Sequence, residues 1–229
     1  LVLDAVELTG LERHDVELRP GDTAVTLLKD ESGERRILLE SLGVGLNYVP
    51  NEQRYQAMRD ADWVHLGTHS DERLVRKLVA DGIPFSVDVS TTHFAFPLQG
   101  VPLVFASGPE DPAVPVEPLM EALRLAGAEK SLVTCGRRGA FFDDGQTISF
   151  APAMEVDVVD TCGAGDSFIA SFLAAYVCEE AGAEFALCRA AQKAAETCAH
   201  LGGYPQPIQP IPGWLVDKYA EIIRRVEEA

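Results

Sequence analysis

The sequence is poor in basic residues and has no long apolar run. It contains 19 Lys and Arg residues against 36 Asp and Glu residues, which gives a formal net charge of −17. A surface with this charge repels nucleic-acid phosphates and anionic lipid headgroups, so we expect neither nucleic acid nor a membrane as a partner. No apolar run approaches the roughly 20 residues that span a bilayer, and the start shows no secretory signal.

Cysteine is scarce and is not arranged for metal binding. The five cysteines form no CxxC pair, and no histidine stands at zinc-ligand spacing from them. Cys178, Cys188 and Cys198 fall on helical patterns, where we expect buried free thiols in a reducing compartment. The expected location is therefore the cytoplasm.

Three common active-site motifs are also missing. The sequence has no GxxxxGKS or GxxxxGKT phosphate loop and no GxSxG nucleophile turn. Gly43 and Gly45 lack the third glycine of a dinucleotide-binding fingerprint. These absences exclude a P-loop enzyme and weigh against an oxidoreductase that binds a dinucleotide on a similar sheet.

What the sequence does contain is an alternation of short apolar runs and helical patterns from Asp62 onward. Hydrophobic residues make up 47% of the chain, which is enough for a sizeable core. The predicted strands are 63–66, 85–89, 103–106, 131–134 and 156–159, and the predicted helices are 72–80, 116–126, 164–177, 183–199 and 214–226. This alternation is typical of an α/β fold whose mostly parallel sheet carries helices on both faces, in three α/β/α layers.

Two segments favour antiparallel pairing instead. Asp144-Gly145, between the apolar runs 140–143 and 147–150, is a hairpin signal. Near the start, the β-rich segments 23–28 and 35–39 follow each other across a short polar turn. This second hairpin lies outside the parallel alternation, so it is predicted to be either a lid over a site or an ordinary edge ribbon.

The most informative stretch is DTCGAGDSF at positions 160–168. It follows the predicted buried strand 156–159 and opens a long apolar helix. Glycine allows a sharp turn and lets an anion approach the backbone amides closely, and the free N–H groups of a helix start point at such an anion. Gly163, Ala164 and Gly165 are therefore predicted to form an anion hole for a transferring phosphoryl group.

Asp166 falls in the first turn of that helix, where the helix dipole favours an ionised carboxylate. A carboxylate beside an anion hole can accept a proton from an attacking hydroxyl, so Asp166 is the candidate catalytic base. The alternative is an acid that only caps the helix. Asp160 also has two interpretations: it anchors the loop through nearby amides, or it faces a monovalent cation through its neighbours.

Two pairs of polar residues have ordinary interpretations. His65 and His69 straddle a predicted strand end, a spacing that does not suit a metal pair, so packing or a substrate contact is expected. Arg137 and Arg138 are adjacent and their side chains diverge, so at most one of them is expected to meet a nucleotide phosphate.

The stretch 160–166, DTCGAGD, resembles the DTxGAGD signature of the PfkB-type carbohydrate kinases, a ribokinase-like family. The segment 133–140, VTCGRRGA, resembles the family's upstream VTxGxxGA segment, and the run 194–203 resembles the helix and glycine turn that border the adenine. The resemblance extends from Leu1 to about Pro212. It implies a ribokinase-like three-layer fold with a small β lid, and ATP as the cofactor.

The resemblance also implies roles for individual residues. Asp166 would be the general base, and the 163–165 loop would hold the transferring phosphoryl group. The nucleotide-binding residues that it implies are Thr134, Gly136, Gly139, Thr161, Gly163 and Gly165. Without the resemblance, residues 133–140 are a strand end followed by a tight turn.

Most of the family carries an NxxE motif whose glutamate helps to organise Mg²⁺. Here Ser107 stands at the asparagine position and Glu110 at the glutamate position. Glu110 is therefore the metal candidate, and the handling of Mg²⁺ is expected to differ from that of the family. The alternative is that Glu110 is a solvated loop acid.

The start of the sequence departs from the family pattern. The family begins with a strand, a Gly-Gly-Asn sugar-binding segment and further βα structure, whereas residues 1–19 resemble a later helix and its exit. We therefore expect one kinase domain over residues 1–229 that lacks its N-terminal βα units, with the hairpin 23–39 as its lid. That hairpin is expected to close over the sugar or to pair with the hairpin of a second copy in a homodimer.

Within the family, the sequence most resembles the fructoselysine 6-kinases and related fructosamine kinases, through residues 63–67 with His69, 85–90 and 105–111. The expected reaction is ATP-dependent phosphorylation of the terminal hydroxyl of a fructosamine or related ketose, with ribose, fructose and nucleosides as alternative substrates. A second hypothesis is a non-catalytic nucleotide- or sugar-binding regulatory protein on the same fold. The intact 163–166 stretch favours the enzyme.

Overall fold

The structure, a computed structural model, describes residues 2–11, 13, 16–31, 34–94, 97–205 and 210–227. Backbone contacts divide the chain into two compact units, residues 1–48 with 210–229 and residues 49–209. Within the described ranges, no helix is long and apolar enough to span a bilayer.

Apart from residues 156–159, the predicted helices and strands occur in their predicted order, and the helix Glu52–Asp60 is an additional one that was not predicted. The helices are α1 (Val2–Leu8), α2 (Glu52–Asp60), α3 (Glu72–Asp81), α4 (Glu117–Leu125), α5 (Ala164–Leu173), α6 (Ala183–Cys198), α7 (Gly213–Lys218) and α8 (Ala220–Glu227). The strands are β1 (Val25–Glu31), β2 (Glu34–Ser41), β3 (Val64–Leu66), β4 (Phe85–Asp88), β5 (Leu103–Ser107), β6 (Ser131–Thr134), β7 (Ala140–Asp143) and β8 (Ile148–Ala151).

The first unit is built around the predicted hairpin. Strands β1 and β2 pair antiparallel in a two-stranded sheet of their own, from Val25 opposite Ser41 onward. The helix predicted at 214–226 is two helices, because the backbone at Tyr219 leaves the helical region with φ −108° and ψ 12°. Lys218 on α7 forms a salt bridge with Asp22, which precedes the hairpin.

The second unit contains a six-stranded sheet in the order β3-β4-β5-β6-β7-β8. The pairs from β3 to β6 are parallel, and the pairs β6-β7 and β7-β8 are antiparallel. The mostly parallel sheet and the hairpin at Asp144-Gly145 are therefore confirmed. Each of these six strands begins and ends within one residue of its predicted bounds.

Alternate side chains of the strands enter two separate hydrophobic clusters, because successive residues of a strand point to opposite faces. One face packs against α2, α3 and α4 through residues such as Val87 and Val104. The other packs against α5 and α6, where the ring centroid of Phe172 lies 6.0 Å from that of Phe105 and 5.1 Å from that of Phe142. Such aromatic pairs contribute about 0.5–1.5 kcal/mol each beyond their buried area. The three-layer α/β/α prediction is confirmed.

Helix α3 shows how the local sequence sets these elements. Asp71 caps its start by accepting a hydrogen bond from the Arg73 amide at 2.8 Å. The Arg73 guanidinium also binds this carboxylate and lowers the Asp71 pKa to about 2. Leu74 and Leu78 lie one turn apart and bury the face toward the sheet. Gly82 ends the helix in the left-handed conformation with φ +67°.

Two expectations about apolar residues were wrong. Residues 156–159 form no strand, and the side chains of Val156, Val158 and Val159 are 36%, 48% and 55% exposed. The cysteines are free, as expected, but Cys178 and Cys188 are exposed rather than buried. Cys178 ends a π-helical turn at 174–178 that follows α5, and Cys188 lies on the outward side of α6.

Candidate active site

The loop before α5 is held by the side chain of Asp160. This buried carboxylate accepts hydrogen bonds from the Cys162 amide at 2.6 Å and from the Gly202 amide at 2.9 Å. The amides of Val159 and Asp160 donate to the Cys198 carbonyl at the end of α6, at 2.8 and 3.2 Å. The anchoring interpretation of Asp160 is confirmed, and the anchor fixes the loop to the segment that follows α6.

Gly163 is the position in the signature stretch where a side chain cannot be accommodated. Its φ is +77°, and a Cβ built there would lie 2.5 Å from the Cα of Gly203. Gly165 differs, because it has helical φ and a Cβ there would meet no atom within 4 Å. Close backbone approach therefore requires glycine at 163, whereas 165 is open.

Helix α5 begins directly after this turn and carries Asp166 as its third residue. The amides of the first helical turn have no carbonyl partner four residues earlier, so they remain available to an anion. The Ala164 amide donates to the Thr161 carbonyl at 3.3 Å, and the Ser167 amide donates to the Gly163 carbonyl at 2.9 Å, so the amides between them, of Gly165 and Asp166, are the ones this turn offers to an anion. The Asp166 side chain is exposed beside these amides.

A cavity of about 470 Å³ adjoins the start of α5. Most of the predicted nucleotide-binding residues line it, namely Thr134, Gly136, Gly139, Thr161 and Gly165, and so do the metal candidate Glu110 and Ala164 of the predicted anion hole. Gly163 and Asp166 do not line it themselves, but they flank residues that do. The structure thus brings two segments about thirty residues apart, which the sequence analysis paired only by resemblance, onto one cavity.

The apolar wall of the cavity was predicted only in part: Ala194, Ala195 and Cys198 belong to the run 194–203 that the resemblance placed beside the adenine, whereas its other members were not predicted. Val156 and Val158, assigned to a buried strand, line the cavity together with Phe168 of α5. Ala191, Ala194, Ala195 and Cys198 of α6 also line it. The signal was present in the small residues of α6, which repeat on one helical face and leave room beside the helix.

Glu110 lies against the turn after β6. Gly136 there has φ +53°, and a Cβ at Gly136 would lie 2.7 Å from Cδ of Glu110. In the part of the chain that the structure describes, no three His, Cys, Asp or Glu side chains are grouped to hold a metal. Mg²⁺ commonly uses one or two carboxylates with waters and substrate phosphates, so the single Glu110 carboxylate on the cavity fits that mode of binding.

The two neighbouring arginines have different environments. Arg138 donates through Nη1 to the carbonyls of Pro109, Asp111 and Val114 at 2.8–3.0 Å, which fixes the loop after β5. Arg137 lines the cavity. Only Arg137 is thus placed to meet a ligand, in agreement with the expectation that at most one of them does.

A second polar group lies at the carboxyl ends of β3 and β4. His65 Nδ1 is 2.9 Å from Ser86 Oγ. Asp88 accepts hydrogen bonds from Thr68 Oγ1 at 2.6 Å and from the Ser90 amide at 2.8 Å. Desolvation lowers the pKa of His65, and the carboxylates of Asp88 and Asp166 oppose this shift.

The fold defines a ribokinase-like protein. Ribokinase from Thermotoga maritima superposes with a TM-score of 0.75 over 89% of this chain and 73% of that chain, at 17% identity. Ribokinase from Arabidopsis thaliana, in complex with ribose and ATP, superposes with a TM-score of 0.67 over 82% of this chain and 67% of that one, at 19% identity.

Sequence comparison then identifies the family. The model for the pfkB family of carbohydrate kinases matches residues 105–209. A fructosamine kinase of Bacillus subtilis is 33% identical over 222 residues, which cover 91% of this chain and 77% of the relative. A fructoselysine 6-kinase of Shigella flexneri is 29% identical over 170 residues, which cover 72% of this chain and 64% of the relative. The chain belongs to the pfkB family of carbohydrate kinases, as the signature stretch predicted.

Proposed function

We propose that the protein transfers the γ-phosphoryl group of ATP to a hydroxyl group of a fructosamine, with Asp166 as the general base. The observation that carries the proposal is the position of Asp166 in the first turn of α5. It directly follows Gly165, which lines the cavity. A carboxylate at that position can take the proton of an attacking hydroxyl while adjacent amides stabilise the phosphoryl oxygens.

The cavity has the size and lining expected for a nucleotide. Its volume of about 470 Å³ lies within the usual range for small-molecule sites. The apolar wall of Val156, Val158 and the small residues of α6 would pack against the base. The backbone at Thr134 and Gly136 and the first-turn amides of α5 would bind the ribose and phosphates.

Phosphate binding needs local compensation in a protein with a net charge of −17. The 163–165 amides would supply partial positive charge at the phosphoryl group, and Arg137 would supply a full charge on the cavity wall. Glu110 would hold Mg²⁺, which offsets phosphate charge when bound. Asp160 is occupied by the amides of Cys162 and Gly202, so a monovalent cation would bind through other groups of this loop.

The acceptor class is proposed from the relatives and from charge. Two relatives over most of this chain are named fructosamine kinase and fructoselysine 6-kinase. The electrostatic field of an acidic protein attracts a cationic aminated sugar and repels an anionic sugar, although salt screens this field beyond about 8 Å. We propose the terminal hydroxyl of the ketose as the site of phosphorylation.

Further proposals concern the molecule around the site. Residues 1–229 would form one kinase domain that acts in the cytoplasm. The β1–β2 hairpin would close over the sugar or pair with the hairpin of a second copy. This proposal is supported by Leu28 and Ile37, which are cross-strand partners and are 46% and 60% exposed. The hairpin thus exposes an apolar pair that contact with another surface would bury.

The Asp166→Asn variant tests the catalytic role. The amide is nearly the same size but cannot take the proton, so phosphoryl transfer should fall by about 100-fold or more while ATP affinity stays close to that of the wild type. Transfer is measured by ADP release with fructoselysine, and ATP affinity by calorimetry. The matched control is Asp62→Asn, an exposed acid before β3. Wild-type turnover in Asp166→Asn would contradict the assignment.

A further inference from the structure

Three side chains at the start of the sheet form a hydrogen-bonded group around Ser86. Ser86 is fully buried, and its Oγ lies 3.0 Å from Trp63 Nε1 and 2.9 Å from His65 Nδ1. These are the partners of this hydroxyl in the part of the chain that the structure describes. The imidazole also meets Phe105 edge to face, with ring centroids 5.8 Å apart.

The hydrogen-bond chemistry of this group fixes the tautomer of His65. The indole N–H of Trp63 can only donate, so Ser86 Oγ accepts from it. The buried hydroxyl hydrogen of Ser86 then needs an acceptor, and His65 Nδ1 is the atom in reach. Nδ1 is therefore unprotonated, and the neutral ring carries its hydrogen on Nε2. Desolvation, which lowers the pKa of His65, favours the same neutral form.

The position of His65 places that Nε2–H on the side of the sheet where Asp166 lies. Val64 and Leu66, the neighbours of His65 in β3, are buried in the cluster on the opposite face. His65 thus shares a face with Phe105, which contacts Phe172 of α5. The residue keeps an exposed surface, and the carboxylates that act on its ring are Asp88 of β4 and Asp166 of α5.

We propose that His65 is a specificity-determining residue of the acceptor site, whose Nε2–H donates a hydrogen bond to an oxygen of the sugar held beside Asp166. Ser86 and Trp63 are positioning residues that keep the donor on Nε2. The inference rests on the proposed function, because it assigns the acceptor to the same site. A neutral donor suits this place, since it orients a sugar hydroxyl or carbonyl oxygen without neutralising the carboxylate that must accept the proton.

Two variants separate the donor from the packing of the ring. His65→Asn places an amide oxygen near the position of Nδ1, so it can still accept from Ser86 but has no donor where Nε2 was. His65→Gln extends its amide nitrogen to the position of Nε2. Asp62→Asn is again the control, because Asp62 is exposed, lies two residues before β3 and has no assigned role at the site.

The measurements are KM for fructoselysine, KM for ATP, and calorimetric titration of each protein with fructoselysine in the absence of ATP. We expect His65→Asn to weaken fructoselysine binding and raise its KM by about tenfold, the effect of one lost hydrogen bond, with KM for ATP unchanged. His65→Gln should recover most of that loss, and Asp62→Asn should match the wild type.

Several results would overturn the inference. Equal losses in His65→Asn and His65→Gln would mean that the ring only packs, and an unchanged fructoselysine affinity in His65→Asn would mean that it does not touch the sugar. A wild type that binds no fructoselysine in the titration would also overturn it. Failure of the proposed function would give a different result. A wild type that binds fructoselysine but releases no ADP does not catalyse the reaction, yet the fructoselysine affinities of the wild type and the His65 variants can still be compared.

Discussion

At the scale of single residues, the glycines of the signature stretch have different tasks. Gly163 has positive φ and touches the backbone of Gly203, so its requirement is structural. Gly165 lies in the helix with open space at its Cβ position and lines the cavity, so its requirement concerns the ligand. From the sequence alone both glycines are predicted to belong to one anion hole, and nothing in the sequence distinguishes their tasks.

The pair Gly163→Ala and Gly165→Ala tests this division. Gly163→Ala should lower the free energy of unfolding by about 1–3 kcal/mol, because alanine is strained at this φ and clashes with Gly203. Gly165→Ala should leave the unfolding free energy within about 0.5 kcal/mol of the wild type, since it meets no atom, and should weaken ATP binding. Urea unfolding and ATP titration measure the two effects. Equal stability of the two variants would contradict the distinction.

Among the residues, the catalytic role of Asp166 stays a prediction, but this residue could be named as the candidate base because an acid in a helix start after glycines has a direct chemical meaning. The group of Trp63, His65 and Ser86 could not, because its members come from two strands whose pairing register the sequence does not state. Only the observation that His65 and His69 do not suit a metal pair pointed toward it.

At the scale of elements, the loop between β8 and α5 replaces a predicted strand. The run Val156 to Val159 has the composition of a buried strand, yet two of its side chains face the cavity. An apolar run indicates only that its side chains favour contact with other apolar groups. Whether they pack under helices or against a bound base depends on tertiary structure, which composition does not specify.

Val158→Asp tests the assignment of this loop as the wall beside the nucleotide base. Val158 lines the cavity, whereas its neighbour Val159 does not and is 55% exposed. A carboxylate at 158 would need to be desolvated by the base and would repel the phosphates, so KM for ATP should rise by about tenfold or more. Val159→Asp should leave it nearly unchanged. Equal KM values for ATP in the two variants would place the base elsewhere.

Apart from helix α2, which was not predicted, the other strands and helices of the second unit were predictable for a simple reason. Buried parallel strands are short continuous apolar runs, and caps such as Asp71 and Gly82 mark the ends of the helices between them. The first unit was less predictable. Its hairpin was recognised from β-rich composition. The break between α7 and α8 was not, because no glycine or proline stands at Tyr219 or beside it to mark the break.

At the scale of the whole molecule, membership in the pfkB family of carbohydrate kinases associates this fold with one class of reaction, the phosphorylation of carbohydrates. Acidic residues outnumber basic ones by 36 to 19, so the proposed phosphate binding would depend on backbone amides and a few local charges rather than on the overall field. The amides at the start of α5 and Arg137 on the cavity are such local groups. The same overall field favours a cationic acceptor, which agrees with the proposed fructosamine.

The most direct test of the account is acceptor-dependent ADP release from ATP, measured in parallel with fructoselysine, fructose, ribose and adenosine. The account predicts that fructoselysine gives the highest kcat/KM and that release without an acceptor is negligible, because Asp166 has then no hydroxyl to activate. A preference for ribose or adenosine would contradict the proposed acceptor. Binding of ATP with no ADP release on any of the four would contradict the kinase itself and favour a non-catalytic binding protein.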